Sequence, residues 1–265
     1  MSGMAPIPKQ RIAAAYHAAA DRYDDAALSF WGHYGERTVR RAALQAGEYV
    51  LDVCCGSGAS AIPAARAVGE RGRVIGLDLA PGLNALASQK AAAESLGNIE
   101  FRVADFDQVY FRNNSFDAIV CVFGIFFFPD AAATLQKMWR LLRPKGRLAI
   151  TTWGPELFEP GSSIFWKAVQ EVRPDLYKGF HPWDWLTSLE AVRGLIPDAE
   201  VETEDRDHPL RSPEDWWAIV LGTGYRGTVE QLSAEEREHV RKSCLACAAA
   251  SVKTSAVYAV ARKQG

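Results

Sequence analysis

The residues with the clearest chemical potential fall at intervals along the first half of the 265-residue chain. Gly56-Ser57-Gly58 is a turn of small residues that lets backbone approach a ligand closely. It opens a helix whose first N–H groups have no partner within that helix. Asp78 and Asp105 each follow a short apolar run, and Asp52 lies inside another. A carboxylate at a strand end can accept hydrogen bonds from both hydroxyls of a ribose diol. In a doubly wound sheet, ligands bind beyond the carboxyl ends of the strands, so these aspartates predict ligand-facing positions on neighbouring strands.

The surrounding pattern supplies such strands. Tyr49–Val53, Arg73–Leu77, Ile99–Val103, Asp117–Val122 and Arg147–Thr152 are short, and YVLDV, AIVCVF and LAITT are nearly continuous apolar runs. Helical stretches at about 59–69, from Pro81, and from Asp130 to Leu142 separate them. This alternation predicts βαβ units and a parallel sheet covered on both faces. Before it, residues 9–46 read as two helices broken near Asp24–Asp25. Arg143-Pro144-Lys145-Gly146 reads as a turn. After Trp153 the rhythm changes: prolines and aromatics crowd 154–187, with a helix expected near 187–195 and a polar strand at 199–208. Two helices within 212–250 and a last strand near Ser255–Ala261 complete the expectation.

Composition narrows the function. A net charge of −2 and a pI near 6.2, with scattered basic residues, give no electrostatic reason to expect nucleic-acid binding. No run approaches the roughly 20 apolar residues that span a bilayer, and MSGMAPIPKQR lacks the apolar core of a secretory signal. Five cysteines without a disulfide-framework pattern suit a reducing cytosol. Cys244-x-x-Cys247 has no second ligand pair for a metal, and its Ala-rich setting reads as helix packing.

Gly56-x-Gly58-x-x-Ala61, with Asp78 some twenty residues beyond, also satisfies a relaxed dinucleotide fingerprint. A nicotinamide-dependent oxidoreductase would be a rival reading. Three longer segments favour another family. "VLDVCCGSG", "VADFDQVYFRNNSFDAIVCVFGIFFFPD" and "LLRPKGRLAITTW" occur in order over residues 49–153. Together they resemble class I S-adenosylmethionine-dependent methyltransferases, in particular the ubiquinone/menaquinone-biosynthesis-like group. The resemblance implies a doubly wound, mostly parallel seven-stranded Rossmann-like sheet with an antiparallel final strand. It also implies an N-terminal helical lid over residues 1–46 and a methyltransferase domain over 47–265, whose substrate region varies at about 154–250.

By the same resemblance, Asp52 and Gly56 would lie near the methionine part of the cofactor, with Ser57 and Gly58 completing the turn. Asp78, beside Leu79, would bind the ribose hydroxyls. Asp105 would accept from the adenine amino group with Phe106 beside the ring. Backbone near Cys121 and Val122 would close the pocket, and Tyr23 would cover it from the lid. Cys54 stands where the family commonly has glycine, and Ser57 where it commonly has threonine.

Methyl transfer from a sulfonium mainly needs the acceptor held in line and water excluded. A base is needed only when the acceptor must lose a proton. Of His17, His33, His181 and His208, the best placed is His181, among the aromatics of "GFHPWDW", whereas His239 in a charged helix reads as solvated. Seven of the eight tryptophans lie after residue 138. Trp153, Phe165, Trp183 and Trp185, with Tyr16 and Trp31 from the lid, are therefore expected to line a pocket for an apolar or aromatic small molecule. A protein that kept the fold and lost the chemistry would be the non-enzymatic alternative. Oligomeric state is not legible.

Overall fold

The computed structural model describes residues 8–246 and 249–265. Of the first five strands, those in the middle of the sheet are apolar and buried on both faces, while the edge strand Ile99–Val103 (IEFRV) is only half-buried. The five are β1 (Tyr49–Val53), β2 (Arg73–Asp78), β3 (Ile99–Val103), β4 (Phe116–Val122) and β5 (Leu142–Trp153). Four further strands follow: β6 (Glu200–Glu204), β7 (Asp207–Pro209), β8 (Ser251–Lys253) and β9 (Ala256–Arg262). The main sheet has seven strands in the order β3-β2-β1-β4-β5-β9-β6, with β9 antiparallel to both neighbours. β7 and β8 make a separate antiparallel pair. The strand order reverses between β1 and β4, and the crevice beyond their carboxyl ends is the natural ligand site.

Helices α1 (Lys9–Ala19), α2 (Phe30–Ala42), α3 (Ala61–Val68), α4 (Pro81–Ala93) and α5 (Ala131–Leu141) accompany the first half. The second half carries α6 (Gly161–Val172), α7 (Leu189–Leu195), α8 (Pro213–Leu221), α9 (Arg226–Val229) and α10 (Ala234–Leu245). α2 buries Phe30, Trp31, Tyr34, Thr38 and Ala42 along one stripe against β4 and β5. A Cβ on Gly35 would come within 2.1 Å of the Ala59 carbonyl oxygen, so only glycine lets α2 sit on the segment after the glycine turn. Asp130 caps α5 by accepting from the Ala133 N–H at 2.9 Å.

Four elements differ from the sequence expectation. Phe116 pairs with Leu142 and Ala118 with Arg147, so Arg143–Gly146 is an excursion within a longer β5 rather than the start of it. The polar stretch 199–208 divides: β6 ends at Glu204, and β7 leaves to pair with β8. Helix α6 was not expected, although its Ile164, Phe165, Ala168, Val169 and Val172 are spaced for a helix between Pro160 and Pro174. The prolines bound that helix; they do not prevent it. Residues 212–250 hold the short α9 as well as two longer helices. Trp216 is fully buried while Trp217 is only half-buried, as neighbours on one helix must diverge.

Candidate active site

Two cavities adjoin at the carboxyl edge of the sheet, and α1 stands between them. Lys9, Ile12, Ala13 and Tyr16 face the first; Arg11, Ala14, Ala15 and Ala18 face the second. These are the two stripes that a period of 3.6 residues creates on one helix. Ile12, Tyr16 and Phe127 border both cavities. Small residues seat α1 on either side. A Cβ on Gly82 would lie 2.8 Å from that of Ala20, and one on Gly227 would lie 2.9 Å from that of Ala15. The Gly82 N–H also donates to His17 Nδ1 at 3.1 Å.

The first cavity is built from strand ends. Val53 to Gly56 come from β1 and its turn, Leu77 to Ala80 from β2, Ala104 to Phe106 from beyond β3, and Val122 and Phe123 from β4. Asp78 Oδ2 accepts from the Gly56 N–H at 2.9 Å, and Oδ1 accepts from the Ala80 N–H at 2.8 Å. Each oxygen keeps a further lone pair for a ligand hydroxyl. Burial pushes the Asp78 carboxyl above its ordinary range against the pull of these amides. Gly56 adopts φ +53°, and a Cβ there would come 3.2 Å from the Tyr23 hydroxyl. Cys54 and Phe123, at the ends of β1 and β4, also have positive φ, +62° and +54°. Such backbone in non-glycine residues costs roughly 1–3 kcal/mol and concentrates at functional sites. The left-handed turn at Cys54 explains why glycine is common in that position of the motif.

Of the residues expected at the cofactor, Gly56, Asp78, Leu79, Asp105, Phe106 and Tyr23 line this cavity. Asp52, Ser57, Gly58 and Cys121 do not. Asp52 is wholly buried behind the wall, accepting from Ser60 Oγ at 2.6 Å, and its Oδ1 has no partner. Burial pushes its carboxyl up to about 7. Ser57 instead donates to Asp24 Oδ1 at 2.7 Å and accepts from Lys90 Nζ at 2.9 Å. Gly58 turns toward Ile62, and Cys121 is buried beside Cys54, whose thiol pKa its contact and burial raise. Trp31, expected on the substrate side, lines the first cavity with its ring stacked on Tyr23 at 5.1 Å. Its Nε1 is buried and unpartnered.

The second cavity contains Trp166, Lys178, His181, Trp183 and Tyr225. The His181 ring stacks on Trp183 at 4.8 Å and 1°. Its backbone N–H donates to Asp184 Oδ2 at 2.7 Å. Burial lowers the His181 pKa, Lys178 lowers it further, and Asp184 opposes both. Trp183 and His181 therefore meet the expected setting, but three other aromatics do not. Trp153 is a core residue stacked on Phe123 at 3.5 Å, Phe165 is fully buried against Trp166 and Tyr225, and Trp185 is exposed. None of the three borders either cavity.

The other histidines have structural partners. His33 pairs with Glu204 at 2.7 Å, His208 Nε2 contacts the Ala27 carbonyl at 2.8 Å, and His239 meets Glu171 at 3.1 Å. Cys54, Cys55, Cys121 and Cys244 carry no disulfide. Cys247 lies outside the described residues, so the Cys244-x-x-Cys247 reading is not tested. Among the described residues, no three His, Cys, Asp or Glu side chains gather as metal ligands, and no helix is long and apolar enough to cross a membrane.

Lys9 and Lys178, Arg11, Phe127 and Tyr225 escaped the sequence reading. The α1 residues carried a legible signal, the spacing of Lys9, Ile12, Ala13 and Tyr16; the others are brought in by tertiary packing alone.

Residues 50–146 match the family described as methyltransferase domain. The demethylmenaquinone methyltransferase of Oceanobacillus iheyensis is 31% identical over 186 residues, 67% of this chain and 78% of that protein. The aklanonic acid methyltransferase DauC of a Streptomyces species is 35% identical over 144 residues, 54% of this chain and 66% of that protein. A solved SAM-dependent methyltransferase from Aquifex aeolicus superposes with a TM-score of 0.55 at 19% identity, covering 92% of this chain and 97% of that one. The dinucleotide rival finds no support: its characteristic strand order is 3-2-1-4-5-6, whereas here β9, antiparallel to both neighbours, stands between β5 and β6. On fold, motif order and relatives together, the chain belongs to the class I S-adenosylmethionine-dependent methyltransferases.

Proposed function

We propose that the first cavity holds S-adenosylmethionine, that the second holds a small planar acceptor, and that the methyl group passes between them beside Tyr16. The observation that carries this reading is the shared border of the two cavities at Ile12, Tyr16 and Phe127. The lining of the first cavity fits the cofactor. Asp78 offers two acceptor positions for a ribose diol, and the bare backbone of Gly56 leaves room beside it. The unpartnered Asp52 Oδ1, just behind Ser60, leaves an acceptor with unused hydrogen-bonding capacity behind the methionine end of the site. Asp105 and Phe106 stand at the end suited to the adenine. When bound, the cofactor supplies a methyl group on a positively charged sulfur.

The chain's own part is positioning, exclusion of water and, where needed, proton removal. The Tyr16 hydroxyl stays protonated, because burial and the nearby Asp78 raise its pKa. It can therefore donate a hydrogen bond at the junction. Trp183 offers a flat apolar wall, and His181, kept neutral by burial, can take a proton from an acceptor hydroxyl. α1 serves as a lid and partition. A small-molecule acceptor, not nucleic acid, suits the net charge of −2. The relatives named for demethylmenaquinone and aklanonic acid support the same class.

Calorimetric titration with S-adenosylmethionine, with NAD(P)H as control, tests the cofactor half. Asp78→Ala should weaken binding by about tenfold or more, as loss of buried charge-assisted hydrogen bonds does. Unchanged affinity in that variant, or binding of the nicotinamide cofactor, would sink the assignment.

A further inference from the structure

The two cavities carry opposite charge. Lys9, Asp78 and Asp105 line the first, which sums to negative. Arg11, Lys178 and Glu230 line the second. Glu230 is committed to Arg226, whose Nε lies 2.6 Å from it. Of the acids flanking Lys178 in the chain, Asp175 is paired with Arg173 at 2.8 Å and Asp184 accepts the His181 backbone N–H. Arg11 and Lys178 have no carboxylate partner among the described residues. Lys178 is half-buried, 5.6 Å from the Trp166 ring centre. An unpaired cation in a partly desolvated aromatic cleft is costly unless a ligand completes it.

We infer that the second cavity takes a planar aromatic acceptor bearing a carboxylate, with Arg11 and Lys178 gripping the carboxylate and Trp183 lying along the rings. This rests on the reading of that cavity as the acceptor site. Burial and Arg11 together lower the Lys178 pKa, which is the response of an ammonium that lacks its counter-ion. Arg11 precedes Tyr16 by five residues, roughly 7.5 Å along α1 at 1.5 Å per residue. A ligand touching both therefore runs along the helix, which suits an elongated planar ring system. The carboxylate is the anchor at the rim, and the reacting atom lies at the opposite end, toward Tyr16. An acceptor of this class carries charge that a negative cofactor cavity repels, so electrostatics alone sorts the two small molecules to their own sides of α1.

The test is calorimetry on the full chain saturated with S-adenosylhomocysteine, using 2-naphthoate and its uncharged isostere 2-naphthamide as probes. Naphthoate should bind about tenfold tighter than the amide, with the margin shrinking as salt rises. Lys178→Gln and Arg11→Gln should each weaken naphthoate by about threefold to tenfold and leave the amide unchanged, while Lys178→Arg restores the preference. Retained S-adenosylhomocysteine binding certifies that each variant is folded. Equal affinity for acid and amide, with both weakened by Trp183→Ala, would overturn the charge inference and leave the acceptor site standing. Failure of both probes to bind, or indifference of both to Trp183→Ala, would remove the acceptor site and the inference with it.

Discussion

Lys9 Nζ lies 2.7 Å from Asp105 Oδ1 and 2.6 Å from Asp107 Oδ2, tying the first turn of α1 to the segment beyond β3. The ammonium also sits 5.1 Å from the Phe128 ring centre. Burial alone would lower the Lys9 pKa, but the two carboxylates more than offset it and the net shift is upward. The carboxylate offered by motif to the adenine is thus already engaged by α1.

That ion pair should act as a latch. It is less than a quarter exposed on either side, so it is screened less than a surface pair. Lys9→Met is expected to raise the dissociation rate of S-adenosylhomocysteine by about threefold to tenfold, corresponding to roughly 1 kcal/mol. Stopped-flow displacement would measure it. High salt should speed release from the wild type and leave the variant little changed.

Asp52 should impose a pH dependence on stability. Its carboxyl ionises at 3.8 when unperturbed and is held up to about 7 by burial in the native state. Between those values the native state binds the extra proton, so this group's contribution to stability falls as pH rises and is flat above the window. Asp52→Asn removes the effect. Urea unfolding of the ligand-free protein at pH 4 and pH 8 should show the variant gaining on the wild type by up to roughly 4 kcal/mol across that range. A constant difference at both pH values would refute the assignment.

Gly56→Ala should harm both fold and cofactor binding. A φ of +53° strains any Cβ, and this one would press on the Tyr23 hydroxyl 3.2 Å away. The strain is about 1–2 kcal/mol, enough to lower Tm by a few degrees. The displaced Tyr23 and turn should weaken S-adenosylmethionine by more than the stability loss alone explains, which calorimetry beside a thermal melt would reveal.

Trp183 and Trp153 should separate binding from packing. Trp183 is half-buried on a cavity wall, so Trp183→Ala should raise the acceptor KM several-fold and change stability by less than about 1 kcal/mol. Trp153, 3% exposed and stacked on Phe123, should cost about 3–5 kcal/mol on conversion to alanine. Denaturant titration and acceptor kinetics on the same pair of variants give both numbers.

Much of this was legible without coordinates. β1 forms over the residues that its apolar run marked, β3 forms over Ile99–Val103 as expected, and α4 begins at Pro81 as a first-turn proline predicts. Gly56, Asp78 and Asp105 reach one cavity because strand ends in a doubly wound sheet converge there. Aromatic content was a poorer guide. Trp153, Phe165 and Trp183 are chemically alike, and only the direction in which each strand or helix turns its side chain separates core from cavity wall.

The sequence by itself determined the alternating strands and helices, the glycine turn and the acids at the strand ends. Those are local properties, set by residue type, period and backbone freedom. Tertiary structure alone decided that α1 divides two cavities, that Lys9 claims Asp105, and that Arg11 and Lys178, 167 positions apart, share one wall. These pairings depend on how α1 docks between α4 and α9, and no period within the chain encodes the distance between segments that meet only on folding.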